Sequence, residues 1–450
     1  MKKVCFAMVL FSIEVLFAGA VEPPSAVTED AAMRETINYG TDNEILELIK
    51  KLRAGSIDYM DDDLVRLVSK TKNQNIILGI FSFFYERSRE GLEKPALTIL
   101  AGREGEAPQK INAALDYLGT VKEEEAIPVI MEIISSDNTT HHNAAIRALG
   151  KIAYSETGSA RPEITEILID YYNNRDPGDG VRQAIVSAVG GSGGKDAAQF
   201  LLEIINSDEQ GTSLRMAALE AAGKLKDNST LDSIIASASS ADPNIRFAAV
   251  EALGSFDGDA VDSAILEGFR DTYFKTRLAA VRSAKARRLT DAIPYLRYRA
   301  ERDEAATVKD EAVLALGEMN NPEADAALLA LLDDGKVSDS LRSRSAEMLI
   351  KNDADRYAEK VIAKLDEAKA GNQSVLYKGL LKVLSAAKTG KVESLTARLF
   401  ASKDVTEKFY ALDLTANNRF TLFKDEVEKL TKDKNTSLSR RAKTTLEKIS

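Results

Sequence analysis

The sequence predicts an all-α solenoid: about ten to twelve antiparallel helix pairs stacked on one continuous core. Three observations predict it. A ten-residue phrase recurs, reading Val-Arg-Gln-Ala-Ile-Val-Ser-Ala-Val-Gly at 181–190, Leu-Arg-Met-Ala-Ala-Leu-Glu-Ala-Ala-Gly at 214–223 and Ile-Arg-Phe-Ala-Ala-Val-Glu-Ala-Leu-Gly at 245–254. Its last position falls at Gly119, Gly150, Gly190, Gly223, Gly254, Lys285, Gly317, Ile350, Ser385, Ala416 and Glu447, in steps of 31 to 35 residues apart from one longer step after Gly150. A second marker keeps the same register, because Pro128 and Pro294 each follow their anchor by nine residues. A fixed period of this length belongs to stacked repeats, none of which buries its apolar face alone.

From the N-terminus, Lys2 and Lys3, an apolar stretch over 4–17 and Ala18-Gly19-Ala20 predict a cleavable signal peptide over 1–20. Glu14 interrupts the stretch, which argues against a permanent anchor of about 20 apolar residues. The polar, Pro-containing segment 21–41 reads as a flexible leader. Residues 42–108 carry helical periodicity without the phrase and read as divergent capping repeats, 109–350 as regular repeats, and 351–450 as divergent repeats with a final helix at 438–449, continuous with the same solenoid.

Within the phrase, positions 1, 4, 5 and 8 share one face of a 3.6-residue helix. Small residues such as Ala217, Ala218 and Ala221 let helices approach closely. The Gly at position 10 is expected to end the helix in the left-handed conformation. Turn residues follow, then a second apolar-periodic segment, clear at 127–134 and 324–332, with Pro322 suited to a first helical turn.

An Asp, then Val-Arg, then Ala-Ala-x-Ala-Leu-Gly resembles the HEAT repeat, and more narrowly the short HEAT-like form of the phycobilisome lyases. Asp176 with Arg182, Asp271 with Arg277 and Asp303 with Lys309 keep a six-residue spacing; Asp208 with Arg215 and Asp242 with Arg246 depart from it. The resemblance implies ladders linking successive repeats through Arg182, Arg215, Arg246, Arg277, Lys309 and Arg342. It also implies a scaffold whose phrase helices line a concave, partner-binding side. It covers 110–350 well and 350–450 weakly. The His-Glu pairs on which HEAT-like di-iron hydroxylases depend are absent from the sequence.

Composition narrows the function classes. The chain of 450 residues has a net charge of −10, which makes it a poor nucleic-acid binder. Its one cysteine, Cys5, lies within the expected signal, leaving no thiol for a disulfide or a metal in the mature chain. The adjacent His141 and His142 point about 100° apart on a helix and do not converge like a two-His site; they read as surface or ladder residues. The run Gly190-Gly191-Ser192-Gly193-Gly194-Lys195 fails the phosphate-loop pattern, since Asp196 stands where Ser or Thr is required, and reads as an inter-helix turn. Asp61-Asp62-Asp63 reads as a solvated helix start. The expectation is therefore an exported, non-catalytic scaffold or adaptor for protein partners, with no cofactor, metal or transmembrane anchor.

Two features mark where a partner would sit. Position 3 of the phrase faces away from the core and becomes apolar at Met216, Phe247 and Leu278, an exposed stripe of the kind found at binding surfaces. Residues 270–302 then hold ten Lys or Arg against three Asp or Glu. There Arg282, Lys285, Arg287, Arg288, Arg297 and Arg299 interleave with Tyr295 and Tyr298, residue types enriched at interface hot spots. Stripe and cluster are expected to form one continuous site for an acidic or extended protein segment. The alternative is that the basic cluster binds an anionic envelope polymer or a lipid headgroup.

Overall fold

The structure, a computed structural model, describes residues 26–55, 60–153 and 161–449; the expected signal segment 1–20 lies outside them. Among the described residues there are 26 α-helices, seven short 3-10 turns and no strand. The helices alternate between two layers, the all-α solenoid that the repeat period predicts. They divide into two compact units, Met1–Ala148 and Leu149–Ser450.

In the first unit, helices Asp42–Ala54, Gln74–Glu86 and Pro108–Val121 pack on one another in one layer. Ala26–Tyr39, Asp61–Lys70 and Glu93–Ala101 alternate with them along the chain. The core holds Leu52, Leu64, Ile80, Phe84, Leu115 and Tyr117. The Tyr117 ring stands edge-on to Phe81 at 5.7 Å, and its hydroxyl donates to Glu93 at 2.6 Å. The segment assigned from sequence to a flexible leader contains the helix Ala26–Tyr39 instead. Its Met33 and Ile37, one turn apart, are buried where the helix packs on Asp42–Ala54 and Asp61–Lys70. Two apolar positions are too few to reveal a helix by periodicity, but enough to dock one when neighbours supply the rest of the core. Asp63, expected in a solvated helix start, is buried, with Arg34 at 3.3 Å and a hydrogen bond from Arg66.

In the second unit the phrase helices Asp179–Ser192, Thr212–Leu225, Pro243–Leu253, Phe274–Arg287, Ala306–Met319 and Asp339–Asn352 pack directly on one another. The alternate helices, among them Lys195–Ile205, Leu231–Ser237, Asp259–Gly268, Ile293–Arg302 and Pro322–Asp333, meet within their own layer over less of their length. The phrase layer is thus the tighter, inner side of the stack. Thr436–Ile449 packs against Val405–Asn418 and Lys424–Leu430, where Leu412, Val427, Leu438 and Ala442 form a shared apolar cluster.

The phrase glycine does not do what its sequence context suggests. Gly119, Gly190 and Gly223 lie inside helices that continue to Val121, Ser192 and Leu225. A Cβ added at Gly190 would meet Ala221 of the next repeat at 2.6 Å from its Cβ and 2.7 Å from its Cα. The same clash recurs between Gly119 and Ala148, and between Gly223 and Ala252. This glycine is absent a side chain because the next helix occupies that space. In five repeats a left-handed residue that is not glycine comes three positions after the end of the phrase: Lys122, Lys226, Arg288, Asn320 and Arg419, all with φ between 46° and 56°. Four of the five are followed directly by a 3-10 turn that leads into the outer helix. Pro128, Pro294 and Pro322 all sit in the first turns of such helices, where the missing N–H leaves no bond unmade.

Candidate functional site

The phrase Arg fastens each repeat internally before it links one repeat to the next. Arg215 Nε donates to the Ile205 carbonyl at 3.1 Å, and Arg342 Nε to the Leu332 carbonyl at 2.9 Å. Arg246 reaches the Ser240 and Ala241 carbonyls, Arg277 those of Asp271 and Thr272, and Lys309 that of Glu301. Every acceptor lies at or just beyond the C-terminal end of the preceding outer helix, where carbonyls lack helical partners and a cation is favoured. A carboxylate of the following repeat is reached at two of these joints. Arg246 grips Asp271 at 2.6 and 2.9 Å, and Arg277 grips Asp303 with two bonds of 2.7 Å. Arg182 instead pairs with Asp176 of its own repeat. The resemblance implied inter-repeat links along the whole series; the structure shows mainly staples within repeats, with the next repeat's Asp reached only by Arg246 and Arg277 among the described residues.

The Arg277–Asp303 pair is buried. Burial alone would raise the Asp303 carboxyl, but hydrogen bonds from Arg277 and the Ala305 N–H outweigh it and hold the group below the usual carboxylate range. Asp271 is held low in the same way against Arg246 and the Tyr273 N–H.

The apolar stripe opens onto a groove of about 780 Å³ on the inner layer. Met216 and Phe247 line it together with Gln183, Ser187 and Ala217, and Lys224, Lys226 and Arg282 contribute cations against Glu220 and Glu251. These are positions 3, 7, 11 and 13 of successive phrases, joined by Ala217 at position 4, which was expected in the core but is only half-buried. Arg282 lies 3.8 Å from Glu251, whose carboxyl is raised by burial. Leu278, expected in the same stripe, is half-buried and does not line the groove.

The basic stretch does not join this surface as one site. Arg282 and Lys285 belong to the inner helix Phe274–Arg287, whereas Tyr295, Arg297, Tyr298 and Arg299 belong to the outer helix Ile293–Arg302. Most of its charge is already matched. Lys285 binds Glu311 of the next repeat at 2.6 Å, Arg287 is almost buried in a bond to Asp262, and Arg297 holds Glu301 at 2.8 Å. Arg299 lies 3.4 Å from Asp303, and Arg288 is the left-handed residue that ends its helix. Tyr295 packs on Phe269 and accepts a hydrogen bond from Arg270. Tyr298 is 51% exposed, with Arg299 and Arg302 over its ring. A linear count of charge missed this because the pairing carboxylates Asp262, Asp303 and Glu311 lie outside the stretch.

Both histidines are buried rather than at the surface, with His141 Nδ1 2.9 Å from Asn112 Oδ1. Of the glycine run only Gly193 and Gly194, both with positive φ, form the turn between Asp179–Ser192 and Lys195–Ile205; Gly190, Gly191 and Ser192 are still helical. Among the described residues no group of His, Cys, Asp or Glu is arranged to hold a metal ion, and no helix is long and apolar enough to cross a membrane.

Sequence reasoning missed a second inner-layer groove, of about 660 Å³, lined by Arg344, Lys351, Lys382 and Lys388 over Ile350 and Val383. It falls where the phrase is most eroded, and only the register carried through Ile350 and Ser385 points to it.

Comparison with known proteins agrees with this architecture. Yeast importin-β (Kap95p) aligns over 93% of this chain and 67% of its own, at 13% identity and a TM-score of 0.53. Kap121p aligns over 93% of this chain and 53% of its own, at 12% identity and a TM-score of 0.44, so the chain spans about half the length of that protein. At such identity the likeness to importin-β is one of fold. No curated protein matches the sequence. The family described as spirochaete HEAT repeat protein matches residues 37–445, nearly the whole repeat array, and the chain belongs to that family.

Proposed function

We propose that this protein is an exported, non-catalytic scaffold or adaptor that binds a protein partner along its inner helix layer. The observation that carries the reading is the groove around Met216 and Phe247. Two half-buried apolar side chains sit in a groove of about 780 Å³, rimmed by Lys224, Lys226 and Arg282 on one sign and Glu220 and Glu251 on the other. An apolar centre with a charged rim is the composition of a protein-recognition surface, in which the centre supplies affinity and the rim orientation. The stacking core leaves this face free, since its residues occupy phrase positions that the repeat does not need for packing. The signal-like N-terminal sequence supports export.

A photoreactive amino acid placed at position 247 in intact cells tests the reading. A discrete protein adduct is expected, lost in a Met216→Ser/Glu220→Lys variant and absent when the probe sits at Asp232 on the outer layer. Adducts that are the same at both positions would sink the proposal. Cell fractionation checks export, with the protein expected outside the cytoplasm.

A further inference from the structure

The groove between helices Asp339–Asn352 and Ser374–Ser385 has a different chemistry from the one around Phe247. Its charged lining is Arg344, Lys351, Lys382 and Lys388 against the single carboxylate of Glu347. Arg344 lies 3.7 Å from Glu347, and both remain solvent-accessible. The ammonium groups of Lys351, Lys382 and Lys388 make no ion pair among the described residues, and all three are exposed. The whole chain is acidic, with a net charge of −10, and a lining of four cations against one carboxylate stands out within it.

Its floor is apolar and small, made by Ile350, Ala354, Val383, Ala386 and Ala387. At the register positions where other joints bring Gly against Ala, this one carries Ile350 and Val383, and both line the groove. At Gly379 the two helices come so close that an added Cβ would lie 2.9 Å from the Ser343 Cβ. The absence of a side chain there keeps the floor unobstructed.

We infer that this groove is a second recognition site, which binds an extended acidic protein segment. In an extended chain successive side chains point to opposite sides, so small apolar residues at alternate positions face the floor while the intervening carboxylates turn to the lysine rim. The lining contains no aromatic ring, the platform on which nucleic-acid bases stack. A sulfated or phosphorylated polymer would use the cations and leave the apolar floor uncovered. Charge complementarity combined with that floor selects the acidic segment.

The test is fluorescence anisotropy on the full chain, with a labelled peptide of alternating Glu and Val as the probe. Saturable binding is expected, weakened roughly tenfold or more by Lys382→Glu/Lys388→Glu. Both positions are exposed, and unchanged helical circular dichroism would show that the variant folds. Met216→Ser/Glu220→Lys should leave the peptide affinity unchanged, so failure of the Phe247 groove and failure of this one are read separately. The inference is overturned if the wild-type chain shows no saturable binding, if the lysine reversal binds equally well, or if dextran sulfate of matched charge binds as tightly as the peptide.

Discussion

At the residue scale, two positions three residues apart have opposite requirements in the repeats that keep the phrase, as at Gly223 and Lys226. Position 10 carries glycine because the next inner helix passes where a Cβ would be, although its own backbone is helical. Alanine in an ordinary helical site stabilises by about 0.4–1 kcal/mol relative to glycine, but overpacking a tight contact costs about 1–3 kcal/mol. Gly190→Ala should therefore lower stability, because Ala221 presents backbone as well as its Cβ at that contact. Gly317→Ala should also lower stability, less only by what the Met348 Cγ and Sδ can swing aside, since the Met348 Cβ at 2.7 Å stays in place. Position 13 behaves inversely. Lys226 has φ of 55°, and Lys226→Gly should leave stability unchanged or slightly raised, because glycine adopts that region without steric cost. Urea midpoints of the three variants check the order, and a stabilising Gly190→Ala would contradict the contact argument.

His141 offers a second test at this scale. Burial pushes its imidazole below its ordinary value, so the neutral form is favoured in the folded state. The unfolded chain then binds the proton more readily. Stability attributable to this group is complete above the unfolded value of about 6.5 and declines as pH falls from there through the folded pKa. In the His141→Asn variant that part of the decline should disappear from the pH dependence of the urea midpoint.

At the element scale, the joints between repeats are not equivalent. Arg277 holds three helices together: its own, the outer helix ending near Asp271, and the next repeat through Asp303. Removing one partner of a buried pair leaves the other charge uncompensated, which typically costs about 3–5 kcal/mol. Arg277→Ala should fall in that range, whereas Arg182→Ala should cost much less, because the Asp176 partner is 95% exposed and such pairs contribute little. The depressed carboxyls of Asp271 and Asp303 add a pH signature. Their contribution is fully present above the unfolded Asp value of about 3.9 and is lost as pH falls through the folded value. Acid should thus loosen these two joints first, seen as early loss of amide protection in Phe274–Arg287.

At the scale of the whole molecule, stability is shared between neighbours rather than held by one centre. In stacked repeats each unit touches only the adjacent ones, so opening is regional. Hydrogen exchange in mild denaturant should give distinct opening free energies for the first unit, ending at Ala148, and the second, beginning at Leu149. A single opening free energy shared by all slow amides would show the array to be one cooperative body. The same architecture explains why substitutions on the groove-facing positions 3 and 7 should change binding without unfolding the chain. Those positions carry little of the stacking core.

The repeat period, the α-only class, the prolines at the outer-helix starts and most of the core face were legible in the chain itself, although position 4 is only half-buried at Ala184 and Ala217. Each depends on intervals along one helix or between successive anchors, and an interval survives in a linear text. The helix Ala26–Tyr39, the role of the phrase glycine, the partners of the phrase arginines and the neutralisation of the basic stretch were decided only by tertiary structure. Some deciding groups belong to the neighbouring repeat, as Ala221 for Gly190, Asp303 for Arg277 and Glu311 for Lys285; others, such as the Ile205 carbonyl for Arg215, lie in the same repeat but are brought there only by its folding. Met216 and Phe247 line the groove, whereas Leu278, at the same position of the next phrase, does not, so periodicity aims a side chain without fixing what borders it. The net charge of a surface is a sum over every element that borders it, and that sum is taken only when the repeats are stacked.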